Sequence, residues 1–182
     1  MKVLHITISS DYGGGPEHVF RLVSGLNDDF ESHIACPENG PYYRKFNETL
    51  GGRVVKIPYR KFNVFYVFKL FKYIKRNHIE IIHSHGKGAG VYAQILKLFL
   101  NNVLVHTVHG VNQNDTLQSK FFYGFFDLFF HKLINSIVFV SNSEYLYTRG
   151  LNLWQKIPFK IINNGTQSYS ISEINIIRSN CP

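Results

Sequence analysis

Short runs of β-branched and apolar residues alternate with helix-patterned segments along nearly the whole chain, and this alternation most limits what it can fold into. Strand-like runs fall at residues 3–8, 32–36, 54–57, 79–83, 103–108, 137–140 and 159–162. Runs of that length suit strands and are too short for free-standing helices. Helical patterns lie between them. The first runs from Pro16 through Val19, Phe20, Leu22, Val23 and Leu26. Others cover 42–50, stopped by Gly51-Gly52, then 62–75, 88–100, 116–133 and 143–149. Strand–helix alternation predicts an α/β fold: a doubly wound, mostly parallel sheet with helices on both faces. Ligands of such sheets sit at the carboxyl ends of the strands. The loops that matter are therefore 9–16, 84–90, 108–115 and 141–143. The pattern fades after residue 165, so one domain is expected at 1–165, with 166–182 a polar tail or the start of a linker.

The first connection is the most informative. Gly13-Gly14-Gly15 lets the backbone turn sharply and approach a ligand, and Pro16 suits the first turn of a helix. Unpaired N–H groups and the positive end of the helix dipole make such a turn a potential anion site. The same residues also suit a tight strand–helix connection with no ligand. A dinucleotide fingerprint would need a glycine at Glu17 or His18, and no Gly-Lys-Ser/Thr follows to make a P-loop. Any phosphate here is held by backbone, not by a lysine of this loop. Gly86-Lys87-Gly88 opens a second helix in the same manner, with a lysine beside it. It is a candidate acceptor-phosphate site or an ordinary turn.

The formal net charge of +8 favours anionic partners. Cys36 and Cys181 make no disulfide framework and fit a reducing cytoplasm. One lysine followed by strand-like residues does not read as a signal peptide, and no apolar run approaches the ~18 residues of a membrane span. His83 and His85 point the same way in an extended chain. Two ligands at that spacing are too few to argue zinc, and they read as structural or acceptor-side groups. Ser141 is placed to cap a helix, and Asn163-Asn164-Gly165 is turn chemistry.

These loops together carry a resemblance. Five stretches match in order: residues 2–26 with Gly-Gly-Gly-Pro-Glu, Ile81-Ile-His-Ser-His-Gly-Lys-Gly-Ala-Gly90, Thr107-Val-His-Gly110, Val138-Phe-Val-Ser141 and Ile161-Ile-Asn-Asn-Gly165. The chain resembles the N-terminal domain of glycosyltransferase family 4, retaining enzymes of GT-B fold built from two Rossmann-like halves. The resemblance implies an acceptor-binding half. A C-terminal domain holding the donor, a UDP- or GDP-sugar, would be missing, along with its Glu-x7-Glu pair, two glutamates with seven residues between them. No such pair occurs in these residues, so the chain alone is expected to be incomplete and inactive. By the resemblance, Gly13, Gly14, Gly15 and Glu17 lie against the donor diphosphate. His109 takes the catalytic position beside the transferred sugar, offering a hydrogen bond or charge stabilisation. His85, Lys87 and Gly88 face the acceptor, a glycan or lipid-linked sugar of surface polysaccharide synthesis. The family is generally metal-independent, so no metal and no cofactor are expected.

Two basic, aromatic stretches suggest a location. Within 61–76, Val64, Val67, Phe68, Phe71 and Ile74 are expected to form a core stripe. Phe65, Lys69, Lys72 and Arg76 share the other side, with Tyr66 and Tyr73 nearby. Residues 120–132 are apolar nearly all round. Rings interleaved with lysines suit peripheral contact with an anionic membrane surface, here the inner face of the cytoplasmic membrane. A solvated basic face over an aromatic core reads equally from these residues. Two other functions compete with the transferase half. One is a non-catalytic or split-subunit domain that binds a polyprenyl-diphosphate or a partner chain. The other is nucleic-acid binding, which lacks any recognisable motif, so no nucleic-acid partner is expected.

Overall fold

The computed structural model describes residues 1–109 and 131–165. Seven strands form one sheet: β1 (Lys2–Thr7), β2 (Glu31–Cys36), β3 (Val54–Lys56), β4 (Ile81–His85), β5 (Val103–Val108), β6 (Ser136–Phe139) and β7 (Phe159–Ile161). All pairings are parallel and the order is β3-β2-β1-β4-β5-β6-β7. The order reverses between β1 and β4. That switch point opens a crevice at the strand ends, because the crossovers leave it in opposite directions. The helices are α1 (Gly14–Gly25), α2 (Pro41–Leu50), α3 (Val64–Asn77), α4 (Lys87–Lys97) and α5 (Asn142–Gly150), with a short 3₁₀ turn at His131–Leu133. The expected Rossmann-like α/β fold is the observed one. Most of the aromatic helix expected at 116–133, and the tail 166–182, lie outside the described residues. Among the described residues no helix is long and apolar enough to cross a membrane.

The sheet separates two apolar clusters. On one side Val19 and Val23 of α1 and Tyr42, Phe46 and Leu50 of α2 cover Ile34 and Cys36 of β2. Burial pushes the Cys36 thiol up to about 12, so it stays protonated and acts as a small apolar group. The larger cluster joins Leu4, Ile6, Ile82, Leu104, Ile137 and Phe139 of the sheet to α3, α4 and the segment after α5.

Three local expectations are corrected. The first helix begins at Gly14, two residues before Pro16, so Gly14 and Gly15 are its first turn and Gly13 is the N-cap. The fourth strand starts at Ile81 rather than 79. His78 adopts a left-handed cap and the Ile79 amide donates back to the Ile74 carbonyl at 3.1 Å, which closes α3 and takes Ile79 from the sheet. The α3 core stripe is Val67, Leu70 and Ile74; Val64 and Phe68 are 72% and 56% exposed. α3 meets α4 along a narrow seam, so one stripe at spacing three and four is enough.

Candidate functional site

The site is built on one face of three neighbouring strands. Registers place His5 of β1 beside His83 of β4, Thr7 beside His85, and His85 beside Thr107 of β5. Side chains alternate across a strand, so His5, Thr7, His83, His85, Thr107 and His109 share a face. Leu4, Ile6, Ile82 and Leu104 take the other face and form the core. Helix α1 covers the polar face and adds His18. The His83 and His85 rings stand 4.2 Å apart, His18 and His109 4.9 Å, and His18 and His85 5.8 Å.

Burial sets the charge of this cluster. It disfavours the protonated ring, and neighbouring imidazoles add repulsion. His5 is lowered to about 3 and His109 to about 4, and His83 and His85 fall well below the usual range. His18 is lowered by burial while a hydrogen bond with Asn164 opposes the shift. The cluster is therefore neutral at pH 7. At that lowered value His109 is uncharged at pH 7 and can offer a hydrogen bond. His83 Nε2 pairs with the Thr107 hydroxyl at 2.7 Å, and His5 Nδ1 with His85 Nε2 at 3.2 Å.

Two helix N-termini converge on the same strand ends. Gly13 has φ 154° and ψ 162°, and Gly86, the N-cap of α4, has φ 78° and ψ 174°. Both conformations are costly for a residue with a Cβ. The Gly86 amide donates to the Thr107 carbonyl at 2.9 Å. This ties the α4 turn to β5, within van der Waals reach of His109. Lys87 and Gly88 occupy the first turn of α4, with Gly88 against Ile8. His85 is buried inside the cluster. Glu17 lies in the first turn of α1. Its carboxylate accepts from Arg21 Nε at 2.5 Å and from the Tyr42 hydroxyl.

A cleft of about 340 Å³ lies between α1 and the segment leaving β7, lined by Gly14, Glu17, His18, Arg21, Asn163 and Asn164 among others. The Gly14 and Gly15 end of α1 and His18 thus face the Asn163-Asn164 turn. Sequence reasoning missed His5, His18, Arg21 and Asn164. The signal for His5 was present in β1 alone, where Leu4-His5-Ile6-Thr7 alternates aliphatic and polar residues. His18 carries no such signal, because only the docking of α1 brings it there.

Of the residues assigned to a membrane face, Phe65, Lys69, Lys72 and Arg76 are exposed on α3. Tyr66 is half-buried, and Tyr73 packs on the core and bonds His33 Nδ1 through its hydroxyl at 2.8 Å. Lys56, Lys69, Lys72 and Arg76 line a second cleft of about 330 Å³ with Val54, Val55 and Tyr73. Ser141 caps α5, its hydroxyl accepting from the Glu144 amide at 3.1 Å.

Comparison with known proteins bears on the family and the fold. Residues 12–167 match the family model of Glycosyltransferase Family 4. The chain is 26% identical over 184 residues to the capsular polysaccharide biosynthesis glycosyltransferase CapH of Staphylococcus aureus, covering 96% of this chain and 49% of that protein. It is 24% identical over 125 residues to an Escherichia coli UDP-Gal:α-D-GlcNAc-diphosphoundecaprenol α-1,3-galactosyltransferase, covering 65% and 32%. Its fold superposes on Anabaena HepE, crystallised with UDP and glucose, with a TM-score of 0.77 at 15% identity, over 98% of this chain and 49% of that one. A glycosyltransferase from Rickettsia africae superposes with a TM-score of 0.64 at 16% identity, over 98% and 48%. The chain spans about half the length, or less, of these relatives. It matches one half of a GT-B architecture, and it belongs to glycosyltransferase family 4.

Proposed function

We propose that the chain is the acceptor-side half of a retaining glycosyltransferase that moves a sugar from a nucleotide-sugar donor to a glycan or lipid-linked acceptor in surface polysaccharide synthesis. The observation that carries this reading is the site's position. A cleft runs between the N-terminal half of α1, the helix that follows β1, and the segment leaving β7, in a chain whose sequence matches family 4. The two curated relatives act in capsule synthesis and on a diphosphoundecaprenol-linked sugar.

The Gly14 and Gly15 amides, on the positive end of α1, hold the donor diphosphate and stabilise charge on the leaving group. Glu17 acts indirectly, fixing Arg21 and Tyr42 at the cleft. Neutral His109 hydrogen-bonds the transferred sugar, and the Gly86-Lys87-Gly88 turn meets an acceptor phosphate. The exposed face of α3 rests on an anionic membrane surface, its rings among headgroups and its lysines on lipid phosphate. Lys72 already lies over Phe68 at 4.4 Å, a pairing suited to an interface.

Sugar transfer tests the reading. The chain is incubated with UDP- or GDP-sugars and a diphosphate-lipid acceptor, alone and joined through Gly165 to the C-terminal half of a family 4 relative. Transfer is expected only from the joined protein, and His109→Ala lowers kcat about 100-fold, as loss of one well-placed hydrogen bond does. Equal transfer by the chain alone contradicts its assignment as half an enzyme.

A further inference from the structure

We propose that the cleft between edge strand β3 and helix α3 binds one phosphate monoester per chain, at a site separate from the histidine crevice. Lys69, Lys72 and Arg76 follow one another at spacings of three and four along α3, so they share one face. All three line the cleft, with Val54 and Lys56 of β3. Among the described residues none of the three forms an ion pair. The nearby acids are taken: Glu38 by Lys56, and Glu31 by Lys2 and His33. The charges on α3 are left for a ligand.

The sheet edge adds backbone donors. Strand β3 pairs with β2 alone. The Ile57 amide donates to the Cys36 carbonyl at 3.1 Å, and the Arg53 carbonyl accepts from the Ile34 amide at 2.9 Å. Backbone groups alternate in direction along a strand, so the Val54 and Lys56 amides turn outward from the sheet. Lys69 Nζ donates to the Lys56 carbonyl at 3.1 Å, so side chains of α3 reach round this edge to the outward side. Tyr73 is a fixed wall of the cleft. Its hydroxyl is bonded to His33 Nδ1 at 2.8 Å, and His33 Nε2 to Glu31 at 2.8 Å.

This donor set suits a monoester. The Arg76 guanidinium can hold two oxygens in a fork, and the lysines and outward amides serve the third. A monoester offers three free oxygens and a charge of about −1.5 to −2 at pH 7. A diester offers fewer oxygens and less charge. The same helix face suggests a lipid source. Phe65 and Phe68 continue the stripe toward the α3 N-terminus and are 65% and 56% exposed. Phe65 lies about 10 Å along the helix axis from Lys72. Rings sunk about 5–10 Å into the headgroup and acyl boundary then leave the cations at the phosphate layer. A lipid headgroup and a soluble ester present the same chemistry. The site rests on the cleft alone; only the lipid source rests on the membrane contact proposed above.

The 182-residue chain is titrated with glycerol 3-phosphate and followed by amide NMR. One saturable site is expected, with shifts at 54–56 and at Lys69, Lys72, Tyr73 and Arg76. Lys72→Gln and Arg76→Gln each weaken binding at least about 10-fold, as loss of a hydrogen bond to a charged group does. Lys75→Gln, an equal charge change on α3 outside the cleft, leaves it within about twofold. A second arm measures co-sedimentation with phosphatidylcholine vesicles that carry phosphatidic acid or phosphatidylglycerol, matched in surface potential. Phosphatidic acid is expected to bind about 10-fold more tightly, with the preference lost in Arg76→Gln. No saturable glycerol phosphate binding, or equal weakening by all three variants, overturns the site whatever the vesicles show. Glycerol phosphate binding with equal affinity for the two vesicle types keeps the site and makes its ligand a soluble ester. The same binding with no vesicle contact at all overturns the membrane reading and leaves the site standing.

Discussion

His106 lies on the face of β5 opposite His109, against Gly90 and Trp154, with its Nδ1 on the Ser84 hydroxyl at 2.8 Å. Burial alone lowers it to about 4 from the usual 6.5. The unfolded chain therefore takes up a proton at this residue before the folded chain does. Stability is full above pH 6.5 and falls as pH drops toward 4, by on the order of 3 kcal/mol from this residue. Urea titrations across that range should show the decline, and His106→Gln should lower the proton uptake on unfolding by about one. A second residue-scale expectation concerns Ser141. Ser141→Ala removes the α5 cap and should cost about 1 kcal/mol, read as a shift in the denaturation midpoint. This capping role was legible from a serine placed before a short helical pattern. The role of His106 was not, because a histidine inside an apolar run gives no hint of which face it takes or what it touches.

At the scale of elements, the glycine loop of α1 is held from the side by α2. The Tyr42 amide donates to the Ser10 carbonyl at 2.9 Å, and the Ser10 hydroxyl donates to the Pro37 carbonyl at 2.7 Å. A Cβ on Gly40 would stand 2.2 Å from the Ser10 carbonyl oxygen, a backbone atom that cannot swing aside. Gly40→Ala should push the two loops apart, costing about 1–3 kcal/mol as overpacked sites do and weakening ligand binding at α1; calorimetry reads both. On α3, Lys69→Gln with Lys72→Gln should weaken binding to anionic vesicles about 30-fold, at ~1 kcal/mol per lysine, as measured by co-sedimentation. Unchanged binding removes the membrane face from the account. Every described helix and strand was foreseen, because apolar period and glycine or proline breaks decide them locally. Where boundaries slipped, as at Ile79, a tertiary choice intervened: the amide closed a helix rather than joining the sheet. The exposure of Val64 and Phe68 is of the same kind, since the width of a buried stripe depends on the neighbouring helix.

At the scale of the whole molecule, strand order makes the site. Parallel strands and short connections could be read from the chain, and with them the rule that ligands gather at carboxyl ends. The reversal between β1 and β4 could not, since nothing local says which strand lies beside which. That reversal sets β1 next to β4 and brings His5, His83, His85 and His109 under α1. The glycine turns and His109 were foreseen as separate pieces; their union into one neutral histidine cluster beside a cleft was not. The most direct test of the central claim is a backbone-amide and imidazole NMR titration of the chain with a UDP-sugar and with a diphosphate-linked sugar acceptor. Shifts are predicted at Gly14, Gly15 and Asn164 with the donor, at 85–88 with the acceptor, and at His109 with both. Saturable shifts confined to other surfaces, or none at millimolar ligand, contradict the assignment of this crevice as the sugar-transfer site.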